Sequence, residues 1–311
     1  MTVMLIANQP LACCLCAAWF IASFLFGCTS TQRDFPLAVA GQSAKPPAGA
    51  IADYPEAIAA IVSIISDMGL PAPDGVATLY SNYMQLESAL VSELHKEAEL
   101  IEQRLDAKTR EKFRAGRDER VALEARQLAT TAHAVAMHKR VFINELLFVR
   151  YPWYERTRIL AHEIAHVVEK GLVDGRPTAA GRWLQEGFAD WVAYKVQDSL
   201  GYETFSKSRE NNVNALARAM AFQTFPALSQ LSTGPDWLTW VRTLGRAATY
   251  GQAFLAVDFW IEQNGLSAVI GYFRLFNKVN DREKNFAVVA GEPIKTFEEK
   301  FDRHLRKLLG K

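Results

Sequence analysis

A predominantly helical α+β fold with a small sheet and one active-site helix is predicted by three observations. Apolar residues recur at helical spacing through most of the chain after Tyr54, whereas the stretch from Lys139 to Phe148 is rich in β-branched and aromatic residues. The third is the run His162-Glu163-Ile164-Ala165-His166, which falls inside one of the helical segments. The chain has 311 residues, half of them hydrophobic, enough to bury a core for one catalytic domain with an appended helical region.

Taken in order, residues 1–27 read as a leader, with an uncharged apolar run from Leu11 that ends in Leu25-Phe26-Gly27-Cys28. Residues 28–50 are rich in Ala, Pro and Gly and suit a flexible tether. Residues 51–130 form a helical region. It opens with an apolar helix from Tyr54 to Met68, closed by Gly69-Leu70-Pro71-Ala72-Pro73, and continues from Val76 to about Arg126 as one or two long amphipathic helices interrupted by the charge-dense Asp106 to Arg120. Residues 131–311 form the second region, in which Lys139 to Phe148 is a strand, either an edge strand bordering a cleft or an ordinary buried strand. A helix then opens at Tyr151-Pro152, carries Ile159, Leu160, Ile164, Val167 and Val168 on an apolar stripe, and stops near Gly171. A second begins at Arg182, and further helices follow over Asn211 to Phe222, Trp237 to Leu244, Tyr250 to Gln263, Leu266 to Lys278 and Thr296 to Leu309, separated by Gly, Pro or Asn breaks.

The pentapeptide at 162–166 carries the chemistry. With about 3.6 residues per turn, positions i and i+4 share a helix face, so His162 and His166 offer two imidazoles to one metal ion while Glu163 lies beside them. Two histidines leave a zinc undersaturated, because a catalytic site takes three protein ligands and keeps a fourth position open. Glu186, at the start of the next helical pattern, would complete a His₂Glu set. Asp190, one turn further on, is placed to accept the free ring N–H of a ligand histidine. Glu169, three residues after His166, is a rival ligand, though a carboxylate near a helix C-terminus is more simply solvated. His95, His133 and His138 read as structural or solvent-facing.

This combination, HEIAH followed by a Glu in WLQEGFADW, resembles the gluzincin metallopeptidases, and among them the bacterial peptidase MA-like domains. The resemblance implies a zincin-like fold and one Zn²⁺ per chain, held by His162, His166 and Glu186, with Glu163 as general base and Asp190 supporting a histidine. The spacing of nineteen residues between His166 and Glu186 is one longer than the aminopeptidase pattern, and the segment Asp174-Gly175-Arg176-Pro177 is a loop that can absorb it. A metzincin is excluded, since Glu169 and Leu172 stand where that group needs Gly and His. The segment starting Thr249-Tyr250-Gly251-Gln252 resembles the helix start that carries an oxyanion-binding tyrosine in aminopeptidase-like members. Tyr250 follows Glu186 by 64 residues and inherits that role. The Gly-x-Met-Glu-Asn run by which such aminopeptidases capture a free amine does not occur before His162, so an endopeptidase of peptides or proteins is expected.

The leader resembles that of a bacterial lipoprotein, which implies lipidation at Cys28, a lipid anchor on a membrane, and a location in the cell envelope, on the periplasmic side of the outer membrane if the cell is Gram-negative. It departs from the pattern in having no Lys or Arg ahead of the apolar run and in the bulk of Phe26. All four cysteines, Cys13, Cys14, Cys16 and Cys28, lie in the leader or directly after it, so a disulfide framework is excluded downstream, and any metal site there is built from histidine and carboxylates. The net charge is +1 with both signs interspersed, which argues against a nucleic-acid surface. The competing expectation is a non-catalytic envelope lipoprotein that keeps the fold for binding or assembly.

Overall fold

The computed structural model describes residues 53–310 apart from 74, 104, 138, 177 and 221–223. The leader, the tether, Cys28 and His138 therefore lie outside the described residues. The fold is predominantly helical with a three-stranded sheet. Its elements are α1 (Tyr54–Asp67), β1 (Val76–Tyr80), α2 (Tyr83–Glu102), α3 (Ala107–Arg114), α4 (Arg117–Thr131), β2 (Ala134–Met137), β3 (Arg140–Asn144), α5 (Glu145–Phe148), α6 (Trp153–Leu172), α7 (Arg182–Ser199), α8 (Phe205–Met220), α9 (Gly234–Leu244), α10 (Arg246–Asn264), α11 (Leu266–Leu275), α12 (Arg282–Ala290) and α13 (Ile294–Leu308). No helix among the described residues is long and apolar enough to cross a membrane.

Local chemistry sets several of these ends. Asp53, Asn82 and Asp106 each cap a helix by accepting a backbone N–H three residues on, from Glu56, Gln85 and Thr109 at 2.9, 3.2 and 3.0 Å. The caps at Asn82 and Asp106 also divide the segment expected as one or two helices from Val76 to Arg126. That expectation is corrected: the segment begins as strand β1 and goes on as three helices, α2, α3 and α4.

The sheet order is β1-β3-β2, with β1 parallel and β2 antiparallel to β3. Of the two readings of Lys139 to Phe148, the buried strand is the one found, and the end of the segment is corrected. Arg140–Asn144 is the central strand, and Glu145–Phe148 leaves the sheet as the short helix α5. The strand bordering the active-site helix is β2.

Strand side chains alternate between faces, and here each face meets its own core. Ala134, Ala136, Val141 and Ile143 join the large core built on α1, α6, α7, α10 and α11, while Val135, Met137 and Phe142 pack into a second core with α2 and α4. The large core holds Trp183, Phe188, Phe254, Trp260, Tyr272 and Phe297, all fully buried, and each such aromatic ring contributes about 1.5–3 kcal/mol of hydrophobic stabilisation. Within it α6, α7 and α10 pack side by side. The approach of α7 to α10 depends on Gly187, where a Cβ would lie 2.3 Å from the Ala253 carbonyl oxygen.

Candidate metal centre

Helix α6 starts after Pro152 and runs through both histidines to Leu172, so Gly171 falls inside its last turn. His162, Glu163, His166 and Glu169 are all buried on it. Facing it, α7 enters from a strapped connection: Tyr272 Oη donates to the Ala180 carbonyl at 2.6 Å, and the Arg182 N–H donates to the Ser232 carbonyl at 2.9 Å. That fixes the first turns of α7, from which Glu186 and Asp190 point at α6.

The predicted ligands come together. Glu186 Oε2 lies 3.3 Å from His162 Nε2 and 3.8 Å from His166 Nε2, and the three donor atoms all lie within 4.8 Å of one another. Ligands at about 2.1 Å from a tetrahedral metal ion sit roughly 3.4 Å apart, so the two carboxylate–imidazole distances are close to ligand spacing and this buried trio could hold a metal ion. The imidazole rings meet edge to face, with centroids 4.8 Å apart.

Each ligand has its own support. His162 Nδ1 lies 2.8 Å from Asp190 Oδ1, as expected from the sequence. His166 Nδ1 lies 3.3 Å from Glu169 Oε2, and Glu169 is held in turn by Gln185, whose Nε2 donates to Oε1 at 2.5 Å. Glu169 is thus not a solvated carboxylate; it is buried behind His166, on the Nδ1 side of the ring. With both Nδ1 atoms facing carboxylates, both Nε2 atoms are left for an ion. Glu186 Oε1 is taken by Arg182 Nη2 at 2.6 Å.

Burial and the neighbouring charges pull the trio in opposite directions. Burial opposes protonation of His162, yet Asp190 and then Glu186 outweigh it and hold the ring well above its ordinary range. At His166 burial again opposes the charge, and Glu169 and Glu186 raise it. Burial would lift the Glu186 carboxyl, but Arg182 and the two imidazoles pull it well below the usual carboxylate range. Four carboxylates, Glu163, Glu169, Glu186 and Asp190, are buried on these two helices, and a cation held by the trio would offset part of their charge.

Glu163 faces the edge strand: its Oε2 accepts the Ala136 N–H at 2.8 Å. Ala136 pairs in register with Val141 but turns both main-chain groups outward, for its carbonyl accepts from Lys170 Nζ at 3.1 Å. Lys170 also pairs with Glu97 at 3.2 Å.

Tyr250 lies on α10, which begins one turn earlier than the sequence suggests, at Arg246. Its ring is buried, 6.3 Å from the His162 ring between centroids, set edge-on against Trp237, with the Arg246 guanidinium 4.1 Å from its centre. His133 stays outside the ligand trio, buried edge-on against Tyr151, and His95 lies 3.9 Å from Asp118. Arg182, Gln185 and Lys170 were not singled out from the sequence. The visible signal was spacing: Arg182 precedes Glu186 by one turn, and Lys170 follows Glu163 by two.

No family profile, curated protein or solved structure matches this chain.

Proposed function

We propose that the protein is a zinc-dependent peptidase of gluzincin type with a zincin-like fold, acting as an endopeptidase. The observation that carries the proposal is the buried His162–His166–Glu186 trio, with one carboxylate oxygen 3.3 and 3.8 Å from the two Nε2 atoms and all three donor atoms within 4.8 Å of one another.

A zinc ion bound there supplies a Lewis acid and an acidified water. Glu163 accepts the proton released as the scissile carbonyl is attacked, then returns it to the leaving amine. Tyr250, beside His162, donates its phenol proton as a hydrogen bond to the developing oxyanion. Asp190 and Glu169 keep the two imidazoles in the tautomer that leaves Nε2 toward the ion. An extended substrate lies along β2, whose outward-facing Ala136 main chain adjoins Glu163. The leader carries the remaining part of the reading, a protein lipidated at Cys28 and anchored in the envelope, where peptides or proteins are the substrates.

The test compares wild type with Glu163→Gln for bound zinc and for cleavage of a quenched-fluorescence peptide library. Retained zinc with cleavage lost supports the enzyme. Cleavage at the wild-type rate in the variant contradicts the assigned base, and zinc bound without cleavage in either protein favours a binding role for the same fold.

A further inference from the structure

We infer that Arg182 is a positioning residue that restricts Glu186 to one-oxygen coordination and thereby keeps a position on the metal open for chemistry. The inference rests on the proposed zinc centre. Its basis is the division of labour between the two oxygens of one carboxylate. Oε2 faces His162 Nε2 and His166 Nε2, while Oε1 is held by Arg182 Nη2 at 2.6 Å.

The guanidinium is well placed to hold that division. It comes from one turn earlier on the same helix, its side chain is largely buried, and its backbone N–H is fixed to the Ser232 carbonyl. Nearby, Gly187 lets α7 seat directly on α10, so the helix has little freedom to turn Glu186 about its axis. A carboxylate free at both oxygens can chelate a zinc ion and raise its coordination number, which fills the open position and weakens the Lewis acid. A carboxylate already bonded to a guanidinium cannot do this without breaking a charge-assisted hydrogen bond.

Arg182 helps keep the buried Glu186 carboxylate ionised, which serves metal binding, but a cation in this place also works against the ion. A buried cation beside a cation site repels the ion, and it occupies a donor oxygen the ion could use. The arrangement makes sense through what it does to Glu186: it lowers the electron density the carboxylate gives to the metal and fixes which oxygen is presented.

The experiment replaces zinc with cobalt(II), whose visible absorption is intense when four-coordinate and weaker when five-coordinate, and compares wild type, Arg182→Met and Arg182→Lys. Wild type is expected to show the intense four-coordinate bands. In Arg182→Met the bands weaken, zinc is bound at least as tightly, and kcat falls roughly 10–100-fold with KM little changed. Arg182→Lys restores the wild-type bands and part of kcat.

An unchanged cobalt spectrum in Arg182→Met, with zinc bound more weakly, overturns the inference and makes Arg182 a structural ion-pair partner. If Arg182→Met does not fold, X-ray absorption of the zinc-loaded wild type decides: a carboxylate bound through both oxygens overturns it, and one bound through a single oxygen supports it. A wild type that takes up no cobalt is a different failure, because it removes the metal centre itself.

Discussion

Glu169 sits behind His166, its Oε2 3.3 Å from Nδ1, so the carboxylate three residues down the helix supports the imidazole it was positioned to compete with. The distinction matters because a supporting carboxylate fixes the ring without touching the ion. Replacing Glu169 by Gln is expected to weaken zinc binding roughly 10–100-fold and leave one zinc per chain at saturation, as is Asp190→Asn on the other ring. Competition with a chromophoric chelator measures this; zinc lost altogether from Glu169→Gln would make Glu169 a ligand after all.

Tyr250→Phe is expected to lower kcat about 10²–10³-fold while zinc content and folding stay at the wild-type level, because one preorganised donor to an oxyanion has that effect. Steady-state kinetics on a peptide substrate test it. A variant as fast as wild type would reduce Tyr250 to a packing residue against Trp237.

Gly187→Ala tests the contact that brings α7 and α10 together. The added methyl would lie 2.3 Å from the Ala253 carbonyl oxygen, which is backbone and does not yield easily. A loss of about 1–3 kcal/mol in stability is expected, with weakened zinc binding because Glu186 is the preceding residue. Chemical denaturation and zinc titration report the two effects; an alanine variant with wild-type stability would show that the helices separate freely.

The second core contains a titratable liability. Glu124 is buried there, its Oε1 has no hydrogen-bond partner among the described residues, and burial first, then the charge of Glu97, push its carboxyl up to about 9. Above the ordinary carboxylate range the unfolded chain gives up this proton while the folded protein keeps it. The contribution to stability is therefore full below about pH 4.5 and is lost progressively as pH rises toward 9. Glu124→Gln removes that slope. Near pH 8 its midpoint should exceed that of wild type, and the difference should shrink steadily as pH falls toward 5. Thermal melts across this range check it, and parallel curves would contradict it.

What the sequence revealed and what it hid divide along the range of the interactions. His162, Glu163 and His166 were legible because their relation lies within one helix, and Glu186 and Asp190 because a single helical turn separates them. The role of Glu169 was not, since spacing puts it on the correct face without saying which nitrogen of His166 it meets. The sheet was the least legible part. β2 is Ala134–Met137, whose alanines and methionine have weak strand preference, and β3 is central only because β1, some sixty residues earlier, pairs with it in parallel. Likewise Arg182 declares itself only once Glu186 is seen to offer one oxygen each way.

The central claim is that α6 and α7 grip one ion between them, and the zinc content of purified wild type beside Glu186→Ala tests it most directly. One zinc per chain in the wild type and far less than one in the variant is the predicted result. Equal zinc in the two proteins, or none in either, would contradict it.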